Sequence, residues 1–302
     1  MSIKKIIIAG GSGFLGSVLN DYFTQKGYVI KVLTRTPKNN SDVYWNAKDL
    51  GSWTDELENA DVLINLTGKS VDCRYTKKNK KLIYDSRIDA THILGSAINL
   101  CKNPPKVWFN SSTATIYKSS LNKEMGEKNG DIGDDFSMNI AKSWEKTFNA
   151  ITNPKTRKII LRTSIVLGKH GGALTPLINL TKFGLGGQQA SGKQKVSWIH
   201  ELDFARSIEY LIDNRQLSGA FNLSVPKPTN NETLMKTLRK VLKVPFGLPH
   251  SKLILKIGAA LIGTETELVL KSRNVVPERL LESGFVFSYS KIDLALSNLT
   301  NN

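Results

Sequence analysis

Short β-branched runs that alternate with longer amphipathic patterns predict an α/β fold, in which helices cover both faces of a parallel sheet. A glycine-rich turn follows the first run directly and precedes a helical pattern, as the start of a right-handed βαβ unit requires. The 302 residues, 40% of them hydrophobic, can bury a sizeable core in one large domain or two smaller ones. This composition excludes the disordered and fibrous classes.

The first half of the chain supplies most of the predicted elements. Strands rich in β-branched residues are predicted at residues 5–9, 29–34, 43–45, 62–65, 106–111 and 158–162, of which the run at 43–45 is the weakest. Helices with apolar residues three and four positions apart are predicted at 14–26, 77–101 and 136–150. The order of these elements predicts a doubly wound parallel sheet.

The first turn has the spacing of a dinucleotide-binding fingerprint. The strand at residues 6–9 leads into Gly10-Gly11-Ser12-Gly13-Phe14-Leu15-Gly16, and a helix follows. Gly10 permits the tight turn, Gly13 lets the backbone approach a pyrophosphate, and Gly16 lets the helix pack on the strand. Main-chain amides and the positive end of the helix dipole then face the phosphates. We therefore predict a Rossmann fold.

The end of the second strand indicates which dinucleotide is bound. NAD sites place a carboxylate there for the ribose hydroxyls, whereas this chain has Thr34, Arg35 and Thr36. A guanidinium can pair with a 2′-phosphate through two hydrogen bonds. We predict NADP as the cofactor; alternatively, Arg35 is only a solvated residue at the strand end.

The pattern changes after Leu167, where glycines crowd residues 168–192 and few strands follow. We predict an NADP-binding Rossmann domain at 1–168 and a smaller substrate lobe at 169–302, with residues near 203–225 returning to the Rossmann core. A substrate cleft is expected between them, beyond the carboxyl ends of the strands.

The formal net charge of +16 allows phosphate-rich partners. No DNA-reading helix, zinc finger or aromatic RNA-binding strand accompanies it, so we do not predict nucleic-acid binding. No apolar run approaches the roughly eighteen residues of a membrane span, and the start of the chain does not resemble a secretory signal. The only cysteines, Cys73 and Cys101, lack metal-ligand spacing. We expect a cytoplasmic protein with a small-molecule substrate and no metal.

Several motifs together resemble the extended or atypical short-chain dehydrogenase/reductase superfamily. They are the glycine turn, Asn65-Leu66-Thr67-Gly68, the segment from Ser111 to Tyr117, Leu161-Arg162, and the segment from Trp198 to Asp203. Three further segments are similar to the SDR39U-like epimerase family proteins, namely Asp85-Ser86-Arg87, the segment from Gly168 to Leu174, and the segment from Pro277 to Phe285. The resemblance spans nearly the whole chain. It implies that the protein binds NADP and that its substrate is unassigned, and it is compatible with a homodimer.

The resemblance also implies roles for single residues. Leu66, Thr67 and Gly68 would follow the adenosine side of the cofactor, Asn65 would fix their turn, and Arg87 would contact NADP unless it forms a surface salt bridge. The predicted cofactor-binding residues are Gly10, Gly13, Phe14, Leu15, Gly16, Arg35, Thr36, Asn65, Leu66, Thr67, Gly68 and Arg87.

The proton-transfer groups of active relatives are missing. Those proteins use a Ser or Thr after the fifth strand, here Thr113, and a Tyr-x-x-x-Lys pair whose lysine lowers the tyrosine pKa. Ser137 and Ala141 stand at the tyrosine and lysine positions, and Lys142 is turned about 100° away on the helix. We predict Thr113 and Tyr117 as the catalytic residues; alternatively, Tyr117 only lines the pocket.

Two functions fit the sequence. The first is an NADP-dependent oxidoreductase or epimerase acting on a hydroxyl or carbonyl of a small polar substrate, for which a nucleotide sugar is one candidate. The second is a non-catalytic NADP(H)-sensing or assembly protein, as in superfamily members without the tyrosine. We favour the first because the substrate lobe is fully built. His170 and His200 are further candidates for chemistry, or else loop and packing histidines.

Overall fold

A seven-stranded parallel sheet forms the centre of the computed structural model, which describes residues 4–256, 265 and 267–301. In spatial order the strands are β11 (Gly219–Leu223), β6 (Arg157–Thr163), β5 (Val107–Thr113), β4 (Val62–Asn65), β1 (Lys5–Ala9), β2 (Val29–Thr34) and β3 (Asp42–Tyr44). Every neighbouring pair in this sheet is parallel. The predicted α/β Rossmann fold is confirmed.

Helices cover both faces of this sheet because successive side chains of a strand point to opposite sides. On β1, Ile6 and Ile8 join the core beneath the helices α1 (Phe14–Gln25) and α5 (Glu201–Asp213). Ile7 joins a separate core beneath the helices α2 (Lys77–Leu100) and α3 (Phe136–Ala150). Strands buried on both faces explain why most residues of the predicted runs are apolar.

The remaining elements form a smaller lobe. Its short strands are β7 (Ile165–Gly168), β8 (Gly171–Gly172), β9 (Lys195–Val196), β10 (Trp198–His200) and β12 (Thr229–Asn230). Its helices are α4 (Leu174–Leu180), α6 (Asn231–Val241), Glu267–Leu270 and Ile292–Thr300, whereas the helix Glu278–Glu282 packs on β11 and places Leu280 in the core of the central sheet. A separate apolar core includes Trp198, Leu238 and Leu296.

Strand β11 returns to the central sheet and pairs with β6, which supports the proposed return of residues near 203–225 to the first domain. The described residues leave out parts of both predicted domains, namely residues 1–3, 257–264, 266 and 302. No helix in the described part of the chain combines the length and apolarity that crossing a membrane requires.

Candidate functional site

The turn between β1 and α1 lies against the loop that follows β4. Gly10 has a φ of +73°, and a Cβ atom there would lie 2.9 Å from the backbone of Thr67. Gly16 packs so closely on the turn that a Cβ atom would lie 2.1 Å from the carbonyl oxygen of Gly11. By contrast, a Cβ atom on Gly13 would meet no atom within 4 Å in the part of the chain that the structure describes. The turn is therefore closed on the protein side and open at Gly13.

The amino end of α1 lacks the capping group that the other long helices have. Gly13 is the N-cap of α1, so no side chain accepts a hydrogen bond from the first amides. The N-cap side chains of α2, α3, α5 and α6 do so, and they belong to Thr76, Asp135, His200 and Asn230. Uncapped amides at the positive end of a helix dipole form an anion site. This turn fits a pyrophosphate group.

A cavity of about 900 Å³ opens beside the turn, at the carboxyl ends of β1, β2, β3 and β4. Its lining includes six of the predicted cofactor residues, namely Gly10, Arg35, Thr36, Leu66, Thr67 and Gly68. It also includes residues that were not predicted to bind the cofactor: Ser12, Leu33, Thr34, Trp45, Asn46, Ala47, Lys48, Lys69, Ser70, Leu82, Asp85, Ser86 and Asp89. The volume and position suit the adenosine half of a dinucleotide.

Arg35 stands on the cavity wall as an exposed residue. Thr34, the last residue of β2, is buried, and its Oγ1 accepts a hydrogen bond from the amide of Thr36 at 3.3 Å. This contact fixes the chain direction just after the strand. Within the described residues, no carboxylate lies within 4 Å of the Arg35 guanidinium, so its charge is available to an anion.

Phe14 contributes packing instead of a cavity wall. Its ring lies among glycines of the smaller lobe, where Cβ atoms on Gly168, Gly171 and Gly172 would come within 2.4, 2.6 and 2.8 Å of ring atoms. Three of the glycines after Leu167 thus have a steric cause, because larger residues there would collide with this ring. The main chain of Phe14 and Leu15 lies at the uncapped start of α1.

Asn65 fixes the loop after β4 from within the core. Its side chain is fully buried and donates to Asn110 Oδ1 at 2.7 Å, while its own Oδ1 accepts from the Thr67 amide at 3.0 Å. Both hydrogen-bonding ends of the amide are therefore occupied by the protein. Asn65 positions Leu66 and Thr67 on the cavity wall and does not itself line the cavity.

Arg87 braces the same loop from the side of α2. It donates to the carbonyl oxygens of Lys69 at 3.1 Å and Ile83 at 2.8 Å, and its guanidinium lies 5.1 Å from the centre of the Trp144 ring. Burial lowers the pKa of Arg87 to about 10. No carboxylate pairs with it among the described residues, so the surface salt bridge is not found. Arg87 supports the loop after β4 by packing against Gly68, and it does not line the cavity.

Thr113 ends β5 at the carboxyl edge of the sheet. Its Oγ1 accepts from the Thr115 amide at 3.1 Å and contacts the Thr115 hydroxyl. This bond starts the short helical turn Ala114–Ile116. Thr113 is half-buried, so its hydroxyl remains a candidate for orienting a substrate.

The structure places Tyr117 differently from the prediction. Tyr117 is only 1% exposed, and its hydroxyl donates to Asn222 Oδ1 at 3.0 Å and accepts from Arg162 at 2.8 Å. Burial raises the pKa of Tyr117, and the positive charge of Arg162 opposes this effect. A phenol with both hydrogen-bonding directions occupied inside the protein is poorly placed for proton transfer to a substrate.

Arg162 belongs to a buried ionic network that the sequence analysis did not predict. It forms two hydrogen bonds to Glu145, at 2.9 and 2.7 Å, and the Ser112 hydroxyl donates to the same carboxylate at 2.6 Å. The network joins α3 to β6 through Arg162 and to β5 through Ser112, the residue before Thr113. The available signals were Glu145 on the apolar face of α3 and Arg162 directly after the apolar run at residues 159–161.

The tyrosine and lysine positions of active relatives hold no acid or base. Ala141 is fully buried in an apolar cluster with Ala114 and Ile116. The Ser137 hydroxyl donates to Glu267. Lys142 pairs with Asp134 at 2.5 Å on the surface, so its ammonium does not replace the missing lysine.

Neither histidine candidate forms a reactive group in this structure. His200 is 2% exposed; its Nδ1 accepts from the Leu202 amide at 3.0 Å, and its Nε2 lies 3.1 Å from Asn298 Oδ1. Burial lowers the pKa of His200, which keeps the ring neutral. It caps α5, whereas His170 is exposed.

Comparisons with known proteins agree with this geometry. The sequence matches the NAD dependent epimerase/dehydratase family over residues 6–224 and a domain of unknown function, DUF1731, over residues 252–299. Epimerase family protein YfhF of Bacillus subtilis is 34% identical over 300 residues, 98% of this chain and 97% of the relative. Epimerase family protein SDR39U1 of Mus musculus is 28% identical over 299 residues, 98% of this chain and 99% of the relative.

A solved structure covers the same length. The crystal structure of human epimerase family protein SDR39U1 (isoform 2) with NADPH has a TM-score of 0.87 to this chain at 26% identity, and the match covers 98% of each chain. The two folds are therefore alike from end to end.

Proposed function

Because the chain belongs to the NAD-dependent epimerase/dehydratase family, we propose that it is an NADP-dependent oxidoreductase or epimerase of the short-chain dehydrogenase/reductase type. Its substrate carries a hydroxyl or carbonyl on a small polar molecule, and nucleotide sugars are one class to test. The supporting observation is the uncapped, open turn at Gly13, next to a cavity whose wall carries the Arg35 guanidinium, which forms no ion pair among the described residues. The NADPH named with the human structure agrees with this choice of cofactor.

The residues have separate roles in this proposal. The first amides of α1 hold the pyrophosphate, Arg35 and Thr36 hold the 2′-phosphate, and Leu66, Thr67 and Gly68 hold the adenosine. The bound nicotinamide supplies or accepts a hydride. Thr113 orients the substrate hydroxyl or carbonyl at the end of β5.

Arg35→Asp tests the cofactor assignment. A charge-assisted hydrogen bond contributes about 1.5–3 kcal/mol, which corresponds to roughly 10- to 150-fold in the dissociation constant. We expect NADPH binding, measured by fluorescence titration, to weaken by at least this factor and NADH binding to change little. Lys38→Asp is the matched control, because Lys38 is exposed nearby and does not line the cavity. Equal losses for both nucleotides in Arg35→Asp would contradict the assignment.

A non-catalytic NADP(H) sensor is the second candidate, and the missing proton-transfer pair at Ser137 and Ala141 favours it. The two functions differ in substrate conversion: an oxidoreductase consumes NADPH, an epimerase returns the hydride to its substrate and consumes none, and a sensor converts nothing. Purified protein is incubated with NADPH and with aldehydes, ketones and keto acids in turn while the absorbance of NADPH is followed, and with NADP⁺ and nucleotide sugars while the appearance of the epimer is followed by NMR. Turnover that Thr113→Val reduces while NADPH binding persists supports the enzyme. Tight NADPH binding without turnover on every class supports the sensor.

A further inference from the structure

Three cations among the described residues line the cavity, Arg35, Lys48 and Lys69, and Lys48 lies in the loop that follows the strand next to β2. Strands β2 and β3 are parallel neighbours in which Thr34 lies opposite Tyr44, and the Trp45 amide donates to the Thr34 carbonyl at 2.9 Å. The loops that follow these two strands therefore begin side by side at the same edge of the sheet. Arg35 is the first residue after β2, and Lys48 is the fourth after β3.

The turn that carries Lys48 is fixed by its own hydrogen bonds. Asn46 Oδ1 accepts from the amides of Lys48 at 2.9 Å and Asp49 at 3.0 Å, and Asn46 Nδ2 donates to the Asp49 carboxylate at 2.8 Å. Between them Ala47 has a φ of +63°, the left-handed conformation that such a turn requires. The main chain of Lys48 is thus positioned before any ligand binds.

The basic and the acidic side chains that line the cavity come from different parts of the fold. Lys48 and Arg35, both exposed, have no carboxylate within 4 Å in the described parts of the chain. The acidic residues of the lining, Asp85 and Asp89, come from α2, and Asp85 already pairs with Lys81 at 2.6 Å. Two of the three lining cations, Arg35 and Lys48, follow β2 and β3, and the third, Lys69, follows β4, so the wall at the ends of β2 and β3 has two positive charges to attract an anion.

We propose that Lys48 binds the 2′-phosphate of NADP together with Arg35 and so determines the preference for NADP over NAD. The inference rests on the proposed function, because it takes NADP to be the cofactor. A phosphate monoester carries a charge of about −1.5 to −2 at pH 7, which one guanidinium does not neutralise. Arg35 provides a planar pair of donors, and Lys48 provides a point charge on a flexible stem.

The test compares NADPH and NADH binding to the full chain by isothermal titration calorimetry. Lys48→Met is expected to weaken NADPH binding about tenfold and to leave NADH binding within about twofold. Lys38→Met is the control, because it removes an exposed lysine that does not line the cavity, and it should change neither constant. The fragments 2′,5′-ADP and 5′-AMP should repeat the pattern, since they differ only in the phosphate at issue. The melting temperatures of the variants show whether each remains folded.

The outcomes separate this inference from the proposed function. If the unaltered protein binds NADPH no more tightly than NADH, the cofactor proposal fails and this inference fails with it. If the unaltered protein prefers NADPH and Lys48→Met keeps the full preference, only the role of Lys48 is overturned. Equal weakening of NADPH and NADH in Lys48→Met would also overturn that role, because the lysine would then contact a part common to both.

Discussion

Gly13→Ala should separate cofactor binding from folding. Gly13 has φ −91° and ψ 177°, which alanine adopts without strain, and the added methyl group would meet no protein atom within 4 Å. That open space lies at the first amides of α1, where we place the pyrophosphate. The substitution therefore fills the proposed phosphate site and nothing else.

The two expected magnitudes differ widely. Alanine is a poorer N-cap than glycine by about 0.5–1 kcal/mol, and it lowers the entropy of the unfolded chain by an amount worth about 0.4–1 kcal/mol. The terms offset, so the melting temperature should shift by no more than about 3 °C. Losing even one charge-assisted hydrogen bond of about 1.5–3 kcal/mol would weaken NADPH binding by roughly 10- to 150-fold.

Differential scanning fluorimetry and fluorescence titration with NADPH measure the two effects. Gly16→Ala provides the contrast, because its methyl group would lie 2.1 Å from the Gly11 carbonyl oxygen and should lower stability as well as binding. If Gly13→Ala melts normally and binds NADPH as tightly as the unaltered protein, the phosphates do not lie at this turn.

Three further predictions concern the surroundings of the site. Glu145→Ala should lower the free energy of unfolding, measured with urea, by about 3–5 kcal/mol, because it leaves the buried Arg162 without its ionic partner. Glu145→Leu combined with Arg162→Met should lower it much less. A loss below about 1 kcal/mol for Glu145→Ala would show that the ion pair does not stabilise the fold significantly. Tyr117→Phe should lower stability by about 1–3 kcal/mol and leave any NADPH turnover unchanged, and a large fall in turnover with intact folding would restore its catalytic role. Burial depresses the pKa of His200 in the folded protein, so the unfolded chain binds more protons and the free energy of unfolding should fall as the pH drops below about 6.5. His200→Gln should reduce this pH dependence, whereas His92→Gln, at an exposed histidine, should not. Equal pH profiles of unfolding for the two variants would contradict the assignment to His200.

The sequence predicted the central sheet well because its strands are buried on both faces. The predicted strands at 5–9, 29–34 and 62–65 have the observed bounds, and so does the helix at 136–150. Uninterrupted apolar runs between turn residues leave little freedom in where such strands begin and end. At the sheet edge, the strand predicted at 43–45 lies at Asp42–Tyr44, where no residue is fully buried and the apolar pattern is correspondingly weak.

The directions of side chains were harder to predict than the elements. Arg87 and Asn65 were expected at the cofactor, but each bonds to the loop that lines the cavity. Tyr117 was expected in the pocket, yet its partners Asn222 and Arg162 lie 105 and 45 residues further along the chain. Contacts between residues so far apart in sequence leave no periodic pattern.

The polar turn after β3 was overlooked for a related reason. A short edge strand followed by Asn46-Ala47-Lys48 has the composition of an ordinary surface loop. Only the parallel pairing of β3 with β2 shows that this turn shares a cavity with Arg35.

The most direct measurement is a crystal structure of this protein grown with NADPH. We predict that the pyrophosphate oxygens lie within hydrogen-bonding distance of the main-chain nitrogens at the start of α1, with the 2′-phosphate beside Arg35. A dinucleotide bound elsewhere, or an ordered dinucleotide whose 2′-phosphate points away from the ends of β2 and β3, would contradict this.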